Sequence, residues 1–226
     1  MTQLRGIAWD LDGTLANTER LKYRAHLAAV ETMEGEWRLT ADAYLRLVGT
    51  SSRLAVTTIT HTCGLADVTY EQYSEIWLGH YLKLLDTEVR LHPGVPELLS
   101  FLFSLGLRQV IVSSSSEREI MRVLELTKIA DVMHGIVSAD DVQHPKPHPE
   151  PYLLALDRLN LPASEVVAVE DTDAGCQSAQ SAGLGVVAVK HDLNTTHRLP
   201  TQHVTDTGLL AFKRSFHARL VNAHRA

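Results

Sequence analysis

Cysteine is nearly absent. Cys63 and Cys176 are the only two in 226 residues and lie far apart, which excludes a disulfide framework and any CxxC metal or redox motif. A reducing, cytoplasmic setting is expected. No apolar run approaches the length needed to span a bilayer, and Met1-Thr2-Gln3-Leu4-Arg5 leads straight into a strand-like segment without a signal-peptide core, so no membrane association is expected. Surplus positive charge is missing too: 21 Lys and Arg face 27 Asp and Glu, a net of −6, which offers nucleic acid no basic surface. Glycine (13) and proline (8) are too scarce for collagen-like or low-complexity chains. What is plentiful is hydrophobic side chain, 45% of the residues, enough for the core of one large domain or two modest ones. One local charge shift stands out: Lys213, Arg214, Arg219 and Arg225 are uncompensated, and a basic final helix lying on an acidic body is expected from Ala211 onward.

Short β-branched runs punctuate the chain at Gly6–Trp9, Gln109–Val112, Gly135–Val137, Val166–Val169 and Gly185–Val189, as in strands buried on both faces. Between them, Pro93–Leu105, Glu117–Leu126, Glu150–Leu159 and Asp173–Ala182 carry apolar residues at helical spacing. The alternation predicts an α/β fold, a doubly wound parallel sheet with a Rossmann-like core. The first two strands are separated by far more chain than one crossover helix needs. Four amphipathic segments fill that interval, Glu19–Met33, Ala41–Val48, Arg53–Cys63 and Thr69–Leu85, and predict an inserted helical cap over 16–91, with the core made of 1–15 and 92–226. Two adjacent linkers, at Leu15-Ala16-Asn17 and Thr87-Glu88-Val89-Arg90, would permit hinge closure over a site beneath.

In open α/β sheets ligands bind beyond the carboxyl ends of the strands. Those ends carry Asp10-Leu11-Asp12-Gly13-Thr14, Ser113-Ser114-Ser115-Ser116, Lys146-Pro147 and Glu170-Asp171. Asp10 and Asp12, one residue apart on a strand end, point the same general way, so one can attack while its neighbour shuttles a proton. Clustered carboxylates repel one another and a phosphate dianion, which calls for a hard divalent cation, Mg²⁺ above all, with oxygen ligands. Lys146 and a serine hydroxyl would hold the remaining phosphate oxygens. Blander readings exist for each piece. A calcium loop would want Gly at Leu15 and Glu at Leu21, and has neither; the serine run could be only a helix cap, and Glu170-Asp171 could cap the next helix. Their order at successive strand ends is the specific signal.

At these residues the sequence resembles the haloacid dehalogenase-like phosphohydrolase superfamily over nearly its whole length. Asp10-Leu11-Asp12-Gly13-Thr14-Leu15, Val112-Ser113, Lys146-Pro147 and Val169-Glu170-Asp171-Thr172 with Ala174-Gly175 look like its four motifs. The helical insert, Asn17-Thr18-Glu19 and His92-Pro93-Gly94-Val95 look like the β-phosphoglucomutase-like branch with a small helical cap. The resemblance implies that Asp10 is the nucleophile and Asp12 the general acid/base. It further implies that Asp10, the Asp12 main-chain carbonyl and Asp171, with Glu170 beside it, hold Mg²⁺, and that Ser113 (or Ser114, one step away) and Lys146 bind the phosphoryl group.

Two departures bear on the reaction. Asn17 replaces the Asp common in the branch, and Lys22 stands where its His is expected, which favours a phosphatase over a sugar-phosphate mutase. Asp12 itself argues for phosphate-ester chemistry, since relatives that cleave carbon–halogen bonds lack it. The expected activity is Mg²⁺-dependent hydrolysis of a small phosphorylated metabolite of the sugar-phosphate class by a monomer or weak homodimer. A mutase is the enzymatic alternative, and a catalytically idle binding protein on the same fold the non-enzymatic one. Lys22, Gly49 and Arg53, with Arg24 as a weaker case, are the cap candidates for specificity, and Lys22 and Arg53 would fit a second phosphate or a carboxylate. The twelve histidines show no zinc spacing, and Trp9, Trp37 and Trp77 are read as packing residues.

Overall fold

Four consecutive buried residues, Gly6–Trp9, form β1 at the centre of a five-stranded sheet ordered β3-β2-β1-β4-β5. Its partners are β2 (Arg108–Val112), β3 (Ile136–Val137), β4 (Val166–Glu170) and β5 (Gly185–Ala188), every pairing parallel. The structure is a computed structural model and describes residues 3–36 and 38–189. Trp37 and the basic segment from Ala211, expected to form a final helix, lie outside the described residues.

Between β1 and β2 run α1 (Thr18–Thr32), α2 (Ala41–Leu45), α3 (Ser52–Thr62), α4 (Tyr70–Glu88) and α5 (Val95–Ser104). The remaining helices are α6 (Glu117–Thr127), α7 (Glu150–Leu159) and α8 (Asp173–Ser181). The two-residue period of the strands divides the core. Ile7, Trp9, Ile111 and Val169 face α5 and α6, meeting Leu98, Leu99, Leu102, Ile120 and Val123. Ala8, Val110, Val112, Ala168 and Val186 face α7 and α8, meeting Tyr152, Ala155, Leu159, Cys176 and Ala179. With helices on both faces, every strand is covered, which is why the strands read as continuous apolar runs. The α/β parallel fold is therefore as expected. The second predicted insert helix is shorter than its pattern: α2 stops at Leu45, and the chain turns through Leu47-Val48 to Gly49, whose φ of 81° is in the left-handed region that glycine enters without strain.

The helices α1 to α4 build a cluster of their own around Ala29, Val30, Tyr44, Val56, Ile59 and Tyr73. His26 sits among these aromatics, its Nδ1 3.0 Å from the Tyr73 hydroxyl and its ring stacked on Trp77 at 5.0 Å between centroids. Burial, helped by the Lys22 charge, holds its pKa down at about 3, so it is neutral.

The insert is entered and left through segments zipped together. Ala16 pairs antiparallel with Leu91, and the His92 N–H donates to the Leu15 carbonyl at 2.9 Å. The Asn17 amide spans both segments: its oxygen accepts from Arg90 N at 2.8 Å and its nitrogen donates to the Glu88 carbonyl at 3.4 Å. A carboxylate at this position could accept but not donate. Arg24 is engaged nearby by Glu88 in an exposed ion pair.

Two stability measurements follow. Asn17→Ala, which removes both side-chain bonds across the linkers, should cost about 1–2 kcal/mol in denaturant unfolding. Because folding lowers the pKa of His26 from 6.5 to about 3, the unfolded chain binds the extra proton, and stability falls as pH drops below the unfolded value. Between pH 7 and 5 the wild type should lose about 2 kcal/mol more than His26→Gln; parallel pH profiles would refute the assignment.

Candidate active site

The chemistry-bearing residues sit at the carboxyl ends of three adjacent strands. Asp10 follows β1 and donates its N–H to the Val169 carbonyl at 2.9 Å. Gly13, with φ 89°, lets the chain double back so that Leu15 and Ala16 both donate to the Leu11 carbonyl, which aims Asp12 into the same space as Asp10. Ser113 follows β2, Glu170 ends β4, and Asp171 comes next. Asp10, Asp12, Ser113, Lys146, Glu170 and Asp171 are all buried.

Lys146 ties these strand ends together. Its ammonium donates to Asp10 Oδ1 at 2.9 Å, to the Val112 carbonyl at 2.9 Å and to Glu170 Oε1 at 2.5 Å, and lies 5.4 Å from the centre of the Tyr152 ring. Burial opposes its charge, but Asp10 and Glu170 outweigh that and raise its pKa. The loop carrying it is pinned from outside by Glu150, which accepts from Gln143 N and His144 N at 2.7 and 3.0 Å. His144 and His148 gather around the same carboxylate on the surface.

Glu170 has both oxygens engaged. Oε1 accepts from Lys146 and from the Tyr152 hydroxyl at 2.8 Å; Oε2 accepts from Asp171 N, Thr172 N and the Thr172 hydroxyl at 3.1 to 3.3 Å. The first turn of α8 passes so close to it that a Cβ on Gly175 would lie 1.9 Å from Oε1. Gly175 is thus the residue that lets the carboxylate and the helix occupy adjacent space.

Asp10, Glu170 and Asp171 place a carboxylate oxygen each within 4.8 Å of one another. Burial first, and then the charge of Glu170, drive the pKa of Asp10 and of Asp171 well above the usual carboxylate range. One ammonium does not neutralise this group. Asp10 Oδ2 is moreover buried without a hydrogen-bond partner, while Asp171 Oδ1 accepts from the Thr14 hydroxyl at 3.3 Å. An all-oxygen donor set with an orphaned carboxylate oxygen fits a hard divalent cation.

Asp12 is ionised for a different reason. Burial would raise its pKa, but the Lys22 charge and the bonds from Lys22 and Ser113 overcome this and hold it at about 2. Its Oδ1 is 2.9 Å from Lys22 Nζ, and its Oδ2 accepts from both Ser113 and Ser115 hydroxyls at 2.8 Å. Lys22 comes from α1 of the insert, also donates to Ser115 at 3.0 Å, and lies 3.5 Å from Glu19 Oε1. Glu19 accepts in turn from the Tyr44 hydroxyl at 3.0 Å.

A cleft of about 320 Å³ opens above these groups, walled by the strand ends and by the insert. Asp10, Asp12, Lys22, Gly49, Ser114 and Lys146 border it; Ser113 is turned toward Asp12 instead. The serine run thus divides its labour, since Ser116 forms a capping box with Glu119 at the start of α6. The two cap cations expected to grip substrate part company. Lys22 is bonded to Asp12, whereas Arg53 is exposed outside the cleft lining, stacked 4.5 Å over the Tyr70 ring and 3.9 Å from Glu71. Arg24 is likewise outside it. Sequence reasoning did not single out Tyr44 or Ser115, nor Glu19 beyond its place in the Asn17-Thr18-Glu19 run; a carboxylate three residues before Lys22 on one helix was the available signal for Glu19.

Comparison with known proteins places this geometry among relatives. The family model described as haloacid dehalogenase-like hydrolase matches residues 7–189. A phosphorylated carbohydrates phosphatase of Thermotoga maritima is 31% identical over 195 residues, covering 84% of this chain and 88% of that one. A phosphoglycolate phosphatase of Salmonella typhimurium is 30% identical, covering 86% of this chain and 84% of the other. The crystal structure of CbbY from Rhodobacter sphaeroides in complex with phosphate superposes with a TM-score of 0.83 over 90% of this chain and 94% of its own, at 23% identity, a likeness of fold.

The packing of α8 on Glu170 predicts that Gly175→Ala loses roughly 2–3 kcal/mol of stability, since neither the buried carboxylate nor the helix can give way without breaking its bonds. Thermal or denaturant unfolding measures it; wild-type stability would mean that this close approach is relieved cheaply.

Proposed function

The chain belongs to the haloacid dehalogenase-like hydrolase family and is a phosphoric monoester hydrolase; on that premise we propose that it is a Mg²⁺-dependent phosphatase of small phosphorylated metabolites, sugar phosphates among them, working through an aspartyl-phosphate on Asp10. The observation that carries this reading is the Lys146-centred group, in which Asp10 keeps one oxygen without a partner beside a second carboxylate, Asp12, that is held ready as a base. A relative named as a phosphorylated carbohydrates phosphatase, 31% identical over most of both chains, supports the sugar-phosphate class, and the phosphoglycolate phosphatase supports phosphatase activity in general.

Asp10 and Asp171, with the Asp12 main-chain carbonyl, would hold the cation, and Glu170 fixes Lys146 and the Asp171 backbone behind them. Bound there, Mg²⁺ would offset the carboxylate charge that otherwise repels a phosphate dianion. An Asp10 carboxylate oxygen attacks phosphorus, the ester P–O bond breaks, and the departing oxygen takes a proton from Asp12. Water then gives its proton to Asp12 and attacks the aspartyl-phosphate, releasing inorganic phosphate and restoring Asp10. Lys146 supplies positive charge as the phosphoryl group moves.

As seen, Asp12 is in its base form, the form the second step needs. To carry the proton of the first step it must loosen its bond to Lys22, which rides on the helical insert and keeps Glu19 as its second carboxylate partner. Lys22 is therefore a positioning residue that couples residues 16–91, in the role of a cap, to the proton shuttle. It has no titration near neutrality that would let it stand in for a histidine acid, and this favours hydrolysis over the mutase reading. Two buried free thiols accord with a cytoplasmic setting.

Asp10→Asn should cut phosphate release at least about a thousandfold while leaving the fold intact, and wild-type turnover by that protein would end the assignment. Excess chelator should abolish activity, Mg²⁺ restore it and Ca²⁺ restore it poorly. Lys22→Ala should lower kcat by about tenfold to a hundredfold equally for a sugar phosphate and for p-nitrophenyl phosphate, because the lost bond is to Asp12. A loss confined to the sugar phosphate would return Lys22 to gripping the leaving group.

A further inference from the structure

The part of the cleft remote from Asp10 has its own chemistry. The insert contributes Leu47, Val48, Val56, Trp77 and Leu78, an apolar and aromatic wall. The hydroxyls of Thr50, Ser52 and Ser74 interrupt it. Thr50 spends its proton on the Leu47 carbonyl at 2.6 Å, which leaves its oxygen as an acceptor.

Charge on this lining is one-sided. Among the described residues, the cleft cations are Lys22 and Lys146, and each is already held between two carboxylates, Asp12 with Glu19 and Asp10 with Glu170. His26 is neutral. Glu119 and Asp140 border the cleft from the core side as two further carboxyl groups, burial raising the pKa of Glu119 against the opposing charge of Lys22. Each is held in place by backbone, Glu119 accepting from Ser116 N and Asp140 from Glu117 N. An anionic group on the far end of a substrate would thus meet fixed carboxylates and an apolar wall, with no spare cation to receive it.

From this lining, and resting on the phosphatase reading above, we infer that the enzyme selects esters whose leaving group is uncharged and amphipathic: a single phosphate on a neutral sugar or polyol, with its carbon faces on the Trp77 side and its hydroxyls on the serine and threonine oxygens. Bisphosphates and phosphorylated acids are the compounds it rejects. This departs from the second phosphate or carboxylate that Lys22 and Arg53 suggested in the sequence, because neither residue offers the cleft a free charge.

The test compares matched esters with the full chain and saturating Mg²⁺: glucose 6-phosphate against 6-phosphogluconate, glucose 1-phosphate against glucose 1,6-bisphosphate, and p-nitrophenyl phosphate as a neutral reference. In each pair the neutral member should have the higher kcat/KM by at least about tenfold, the difference narrowing as added salt screens the carboxylates. Asp140→Asn and Glu119→Gln should each shrink the ratio. Equal kcat/KM within pairs, or preference for the charged member while p-nitrophenyl phosphate is hydrolysed, overturns this inference and leaves the phosphatase standing. Release of phosphate from none of the esters, the reference included, overturns both.

Discussion

One buried ammonium carries the architecture of the site. Lys146 reaches the ends of β1, β2 and β4 at once, through Asp10, the Val112 carbonyl and Glu170. A buried ion pair of this kind gains little net stability, because desolvation consumes most of the Coulombic attraction. Its effect is on specificity of arrangement. Removing the charge would leave two desolvated carboxylates facing each other, so the three strand ends and the loop after β3 have one low-energy configuration. The neighbouring shell follows from it. Tyr152 donates to the same Glu170 oxygen as Lys146 and Thr172 to the other, and Gly175 is glycine because the carboxylate stands where its side chain would be.

The two carboxylates after β1 sit in one site with opposite electrostatics. Asp10 is surrounded by negative charge and has lost water, so its ionised form is disfavoured; Asp12, two residues away, has lost water too but faces Lys22 and two hydroxyls. Alternate groups on a single strand end are thus set apart by what reaches them from elsewhere, Asp10 from within the sheet and Asp12 from the helical insert.

Much of this was legible in the chain. Strands buried on both faces show as unbroken β-branched runs, and polar residues recurring after each run mark the edge that carries the candidate site without any geometry. What could not be read was who contacts whom across long separations. Lys22 and Arg53 both read as cations for an anionic leaving group, and nothing local in the sequence shows that Lys22 turns inward to Asp12 while Arg53 stays outside. The serine run was ambiguous for a physical reason: its members share a residue type but split between bonding Asp12, bordering the cleft and capping α6. The end of α2 was overestimated because Leu47 and Val48 keep the apolar spacing while serving the cleft wall.

The place of β1 in the sheet sets the order in which the molecule can be assembled. The central strand is made first, yet the segments it pairs with, Arg108–Ile111 and Val166–Val169, leave the ribosome only after all of α1 to α4 and, for the second, most of the described chain. The helices between have local contacts and a hydrophobic cluster of their own, so they can condense early while Gly6–Trp9, fully apolar and unpaired, waits. Until β4 arrives, Asp10 stands at the end of an unpaired apolar edge, its N–H without the Val169 carbonyl that receives it in the finished sheet, and that edge is open to pairing with another chain.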